Sequence, residues 1–133
     1  MVDSKGKTIL VVDDNYDVRR LERKVLLLAG YNVVEAHDGD SALQMMEKMV
    51  PDLILMDIRL PGRLNGLELT SHLKDDARLQ RVPIVALTAS VLERDRQGAL
   101  AAGCSGFIAK TIDITTLPRL VENYLIRCAM APR

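Results

Sequence analysis

The segment DLILMD, Asp52 to Asp57, sets four consecutive apolar residues between two acids. A run this short and this apolar is too brief for a helix. It fits a strand buried on both faces, as in the middle of a parallel sheet. Its last residue is a carboxylate at the strand's carboxyl end. Working outward, TILVV (Thr8 to Val12) is a similar run and is followed by Asp13 and Asp14. NVVEA (Asn32 to Ala36), PIVAL (Pro83 to Leu87) and GFIA (Gly106 to Ala109) complete the set, the last two followed by Thr88 and Lys110.

Helical patterns fill the intervals. From Tyr16 to Ala29 the apolar residues Val18, Leu21, Val25 and Leu28 recur at helical spacing, and Gly30 supplies a stop. Asp38-Gly39 reads as a turn and cap before a second helix, Ser41 to Met49, with Leu43 and Met46 on one face and Pro51 as its breaker. Further helices are expected over Gly66 to Leu73, over Val91 to Ala102 (closed by Gly103) and over Ile114 to Cys128. The last carries Pro118 in its first turn, where a missing N–H costs little, and an apolar face of Leu117, Leu120, Val121, Tyr124 and Leu125. Strands alternating with helices predict an α/β fold: a five-stranded parallel sheet, doubly wound, with five helices and right-handed crossovers. The tail Ala129 to Arg133 is expected to fray.

The 133 residues fit one domain, with its core over about 8–128 and no linker or repeat. At 48% apolar residues the chain has ample material for a core, which must be aliphatic because Phe107 and three tyrosines are its only aromatics. Eighteen basic residues balance eighteen acidic ones, which gives no support to a nucleic-acid or anionic-membrane partner. No run is long enough to span a bilayer, and the polar start, Met1 to Lys7, lacks a signal peptide's apolar stretch. Cys104 reads as a core residue and Cys128 as part of the last helix. Two distant cysteines with no metal-type spacing point to a reducing, cytoplasmic setting.

In an open parallel sheet, ligands bind beyond the carboxyl ends of the strands. Four of the five strands deliver a carboxylate, hydroxyl or ammonium there: Asp13, Asp14, Asp57, Thr88 and Lys110. Each has a plain alternative. Asp14 or Thr88 could cap a helix (Ser90 is better placed for the fourth), Asp13 could be a solvated turn residue, and Lys110 an ordinary surface lysine. Singly, these alternatives weigh at least as much as the functional readings, although Asp57, directly after LILM and before Ile58, is harder to dismiss. Together they leave unexplained why all these groups share one edge.

Three crowded carboxylates repel, and burial raises their pKa values further. A hard divalent cation relieves this, and Mg²⁺ keeps open positions for phosphate oxygens. A hydroxyl and a lysine suit a phosphoryl group, and a carboxylate can be the nucleophile that forms an aspartyl phosphate. Little beyond positioning and charge neutralisation is then needed. His37 and His72 read as surface residues, so zinc is not expected.

At these same residues the chain resembles the receiver domains of bacterial response regulators, the CheY-like switches of two-component signalling. The resemblance runs from Thr8 to about Ile126 and rests on ILVVDDN (9–15), DLILMDIRLPG (52–62), NGLEL (65–69), PIVALTAS (83–90) and AAGCSGFIAK (101–110). It implies a free-standing receiver with Asp57 as phosphoacceptor, and Mg²⁺ held by Asp14 directly, by Asp13 through water, by Asp57 and by the backbone carbonyl of Arg59. Thr88 matches the phosphate-sensing hydroxyl, Lys110 the active-site lysine and Phe107 the aromatic switch residue, although plain core packing also accounts for Phe107. The implied donor is a phosphohistidine on a histidine kinase or phosphotransfer protein. The implied output is an unidentified downstream protein that reads the surface of the fourth helix, fifth strand and fifth helix. Only self-phosphotransfer and self-dephosphorylation are expected, not turnover as an enzyme.

Two departures from the family pattern bear on this. The family's Pro is followed four residues later by Gly; here Pro61 is followed by Gly-Arg-Leu-Asn and then Gly66, one residue longer, which leaves the loop's course and the start of the third helix open. The family's Lys-Pro, with its cis bond, is here Lys110-Thr111. A cis bond to a non-proline residue costs about 2.5–4 kcal/mol against roughly 0.5–1 for proline. Either the bond is trans and Lys110 shifts, or the fold bears the strain; slower or altered switching is expected, with Lys110 still facing the site. The charged fourth helix, with Glu93 to Arg96 and Gly98, reads equally as a solvated face or a mobile partner surface. Two other functions compete: a degenerate receiver serving as a docking module, and a small Mg²⁺-dependent phosphatase. The intact set Asp13, Asp14, Asp57, Thr88 and Lys110 weighs against the first. The missing cap insert and the apolar Ile58 weigh against the second.

Overall fold

The computed structural model describes residues 6–90 and 92–130. The five expected strands form one parallel sheet: β1 (Thr8–Val12), β2 (Asn32–Ala36), β3 (Leu53–Met56), β4 (Ile84–Thr88) and β5 (Gly106–Ala109), in the order β2-β1-β3-β4-β5. The order reverses direction between β1 and β3, which opens a crevice at their carboxyl ends. Five helices follow the strands: α1 (Tyr16–Leu28), α2 (Gly39–Lys48), α3 (Gly66–Lys74), α4 (Glu93–Ala102) and α5 (Leu117–Met130).

Because strand side chains alternate between faces, the sheet feeds two separate cores. Leu10, Val12, Ile54, Met56, Ile84 and Ala86 pack toward Ala42 and Met46 of α2, Leu69 and Leu73 of α3, and Ala99 of α4. Ile9, Val11, Leu53, Leu55, Val85, Leu87 and Ile108 pack toward Leu26 of α1 and Leu117, Val121 and Leu125 of α5. Each fully buried aliphatic side chain contributes about 1.5–3 kcal/mol. That buried framework holds β1, β3 and β4 in fixed register, and with them the groups at their ends.

Several boundaries differ from the sequence reading. Thr88 is the last residue of β4 rather than the first after it. α5 is preceded by a 3-10 turn over Ile114–Thr116 and runs on to Met130, so Ala129 is helical; positions 131–133 lie outside the described residues, and the expectation of fraying there stays untested. The expected start of α4 at Val91 also lies outside them, and the helix begins at Glu93. Ser90 does not cap it: the N-cap is Leu92, with no side-chain hydrogen bond, and Ser90 Oγ accepts from Leu92 N–H at 3.3 Å. Gly103 ends α4 in the left-handed region, φ 113°, where a side chain would strain the backbone.

α1 is turned relative to expectation. Leu21 and Leu28 face solvent, while Glu22 and Leu26 point inward. Arg19, Arg20 and Arg23 on this helix converge on Glu35 of β2, with N···O distances of 2.9, 3.3 and 3.4 Å, and these contacts fix its rotation. Both cysteines are free, Cys104 buried and Cys128 half-buried on α5. Among the described residues no helix is long and apolar enough to cross a membrane.

Candidate functional site

β1 and β3 end side by side, with Val12 in register with Met56. The next residues, Asp13 and Asp57, are therefore neighbours. Asp57 N–H donates to Val12 O at 3.0 Å and Asp13 N–H to Ala36 O at 3.1 Å, so both continue the ladder. Asp13 and Asp57 are buried, and Asp14 is exposed at the mouth. One carboxylate oxygen from each of Asp13, Asp14 and Asp57 lies within 4.8 Å of the others. Three hard oxygen donors this close fit a divalent cation such as Mg²⁺.

Lys110 reaches in from the end of β5. Its Nζ donates to Asp13 Oδ2 at 2.6 Å and to Asp57 Oδ2 at 3.0 Å. Its own amide donates to Thr88 O at 2.7 Å, which keeps the β4 and β5 ends together. The other oxygens are also engaged: Asp57 Oδ1 accepts from Arg59 N–H at 2.9 Å, and Asp13 Oδ1 from Asn15 N–H at 2.9 Å. Arg19 Nη1 donates to Asp13 O at 2.8 Å, tying α1 to the site. None of the described peptide bonds is cis, so Lys110–Thr111 is trans, and the lysine faces the carboxylates regardless.

Burial raises the Asp57 carboxyl above its ordinary pKa, against the opposing pull of the Arg59 N–H and the Lys110 ammonium. Burial pulls Lys110 down, but its hydrogen bonds to Asp13 and Asp57 and their charge outweigh it and leave the ammonium above its ordinary value. The lysine is thus a fixed positive charge between two acids.

Thr88 is fully buried, and its Oγ1 accepts from Ser90 N–H at 3.3 Å. Phe107, paired with Ala86 in the β4–β5 ladder, is half-buried against the core facing α2, α3 and α4. The Arg59 side chain points away from the acids, to Asp95 of α4. The longer loop is absorbed before α3. Gly62 takes a left-handed φ of 91°, Arg63 pairs with Asp40 at 2.8 Å, and Asn65 caps α3 in a reciprocal capping box with Glu68. Gly66 then lies directly on the Asp57 backbone: a Cβ there would sit 2.1 Å from Asp57 O. His37 and His72 are exposed.

One neighbour escaped the sequence reading. Glu22 is 1% exposed, its Oε1 has no hydrogen-bond partner among the described residues, and it lies within the field of Asp13, Asp57 and Lys110. Burial first, then Asp13, push its pKa up to about 8. A glutamate among the charged residues of an amphipathic helix gives no sequence signal of burial when the apolar pattern's phase is ambiguous.

These features define a doubly wound α/β domain whose carboxyl edge gathers acids, a hydroxyl and a lysine. The chain belongs to the response regulator receiver domain family, whose model matches residues 9–122. It is therefore a receiver domain of two-component signalling. It is 35% identical over 119 residues to the polar-differentiation response regulator DivK of Brucella ovis, covering 90% of this chain and 96% of that protein. A putative response regulator from Chloroflexus aurantiacus superposes with a TM-score of 0.86 at 33% identity, over 92% of this chain and all (100%) of that one. The receiver domain of the sensor histidine kinase PA1611 from Pseudomonas aeruginosa matches with a TM-score of 0.82 at 36% identity, over 90% of this chain and 98% of that one. That structure carries a magnesium ion coordinated in its active-site cleft.

Proposed function

We propose that residues 1–133 act as a single phosphorylation switch: Asp57 takes a phosphoryl group from a phosphohistidine, and the modified domain signals to a protein partner. The observation that carries this reading is the placement of Asp57 Oδ2 3.0 Å from Lys110 Nζ, in a cluster where three carboxylate oxygens lie within 4.8 Å of one another. In the transfer, an Asp57 carboxylate oxygen attacks phosphorus, the P–O bond forms, the P–N bond to the donor imidazole breaks, and the imidazole leaves with its electron pair. Asp14, Asp13, Asp57 and the Arg59 carbonyl would hold Mg²⁺, which supplies positive charge to the phosphoryl oxygens when bound.

The chain's own residues do the rest. Lys110 neutralises charge on Asp57 before transfer and on the phosphoryl oxygens after it. Arg59 N–H orients the acceptor carboxylate through its bond to Oδ1. The Thr88 hydroxyl, on releasing Ser90 N–H, donates to a phosphoryl oxygen, and Phe107 moves into the space beside it. α4 is the element suited to report this, because Ala99 is its only fully buried residue and its first turn has no side-chain cap. The donor is a histidine kinase or phosphotransfer protein. Release of the group by water would complete a self-limited cycle rather than turnover on outside substrates. Cytoplasmic residence is part of the same reading, since the donors it requires face the cytoplasm.

Incubation with a small acyl phosphate and Mg²⁺, followed by intact-mass measurement, tests it. The expected result is a gain of one phosphoryl group, abolished by omitting Mg²⁺ and by Asp57→Ala. An unmodified wild-type chain would leave only the docking-module reading.

A further inference from the structure

Asp95, in the first turn of α4, holds two partners on one oxygen. Its Oδ2 accepts from Arg59 Nη2 at 3.2 Å and from the Ser90 hydroxyl. Arg59 stands two residues after Asp57, and Ser90 two after Thr88. The backbone amides of both already belong to the site, that of Arg59 on Asp57 Oδ1 at 2.9 Å and that of Ser90 on Thr88 Oγ1 at 3.3 Å. A single α4 carboxylate therefore ties together the loops on either side of the acceptor. The N-cap of this helix, Leu92, is exposed and makes no side-chain hydrogen bond.

We propose that Asp95 is a positioning residue that draws the Arg59 side chain away from the acceptor and pins α4, and that a phosphoryl group on Asp57 frees α4 by taking Arg59 from it. This rests on Asp57 being the phosphorylated residue. The Arg59 side chain is 65% exposed and that of Asp95 19%, so their bond is well solvated and weak. A phosphoryl group on Asp57 brings close to two negative charges and three strong acceptor oxygens beside the Arg59 backbone, and guanidinium prefers such a partner to one shared carboxylate oxygen. The second tie loosens in the same event. If the Thr88 hydroxyl turns to the phosphoryl group, Ser90 N–H loses its acceptor, and the loop that presents Ser90 to Asp95 is no longer held. The weakness of the Arg59–Asp95 bond is what makes it displaceable, because a strong buried pair would resist the exchange.

Amide hydrogen exchange across Glu93–Ala102 in the full chain decides it. In the unmodified protein, Arg59→Gln and Asp95→Asn are each expected to raise exchange in the first turn of α4 roughly two- to fivefold, the range set by a weak surface tie. The double variant is expected to match the larger single effect rather than their product. A purely local role for Asp95 at the helix terminus predicts the opposite: Arg59→Gln silent and the effects independent. After treatment with acyl phosphate and Mg²⁺, the wild-type chain should rise at least to the Arg59→Gln level, while phosphorylated Arg59→Gln rises further by less than the wild type does, through the Ser90 tie alone. A full phosphoryl mass increment with unchanged α4 exchange overturns the release mechanism while leaving Asp57 as acceptor. Absence of the increment overturns the acceptor assignment and the release with it. A silent Arg59→Gln in the unmodified chain overturns the restraint itself.

Discussion

The Lys110 ammonium sits between two carboxylates from different strands, 3.0 Å from Asp57 and 2.6 Å from Asp13. It makes this contact with Thr111 rather than a proline after it, because the β5 ladder and its own amide bond to Thr88 O fix where its Cα lies. Thr111 therefore changes the backbone beyond the lysine without removing the lysine from the site.

Lys110→Met leaves the acceptor and the acidic cluster intact but removes the charge between them. The rate of phosphoryl gain from an acyl phosphate should fall roughly 10- to 100-fold, the rate equivalent of one charge-assisted hydrogen bond. Time-resolved intact mass reads this directly, with an unfolding curve run alongside to show that the variant is folded. A wild-type rate in a folded variant contradicts the role given to the lysine.

Glu22 predicts an unusual pH dependence. Its pKa rises from 4.5 to about 8 on folding, so below 4.5 it is protonated in both states and adds no pH dependence. Between these values the unfolded chain ionises it while the folded chain holds the proton. Stability should therefore fall as pH rises through this window and level off above it, by a few kcal/mol in all. Glu22→Gln and Glu22→Leu should flatten that slope, and Glu22→Leu should be the more stable at pH 8, since it packs an apolar side chain where an orphan carboxyl oxygen now lies. Urea unfolding at pH 5, 7 and 9 measures the difference; parallel slopes in wild type and variants would show that Glu22 is not buried.

Gly66→Ala places a Cβ 2.1 Å from Asp57 O, where the neighbour is backbone and cannot step aside cheaply. The loop or the acceptor strand must shift. A loss of about 2–4 kcal/mol in unfolding free energy is expected, together with slower phosphoryl gain. Denaturant midpoints and mass kinetics on the same preparation check both, and an alanine tolerated without change in either contradicts the close approach.

The strands were legible because each is a four- or five-residue apolar or β-branched run, and the site carboxylates because they stop those runs. Asp13 and Asp57 had to be neighbours once β1 and β3 were parallel and adjacent. The rotation of α1 was not legible. The run Leu26-Leu27-Leu28 satisfies several helical phases, and what selects one is a tertiary contact, the convergence of three arginines on Glu35. Glu22 was missed for the same reason. Ser90, a good capping residue by type, does not cap α4 because its hydroxyl is committed to Asp95 instead. That network joins residues far apart in the chain, Arg59 and Asp95 being 36 positions apart, and no local pattern announces it.

The central claim is that Asp57 carries the phosphoryl group, and chemical trapping reads the position itself. An acyl phosphate formed on an aspartate is reduced by borohydride to homoserine, which peptide mass mapping locates. The account predicts homoserine at position 57 in the chain treated with acyl phosphate and Mg²⁺, and none in the untreated chain. Reduction at Asp13 or Asp14 instead, or an unchanged peptide spanning residues 57–59 in a chain that has gained a phosphoryl group, would contradict it.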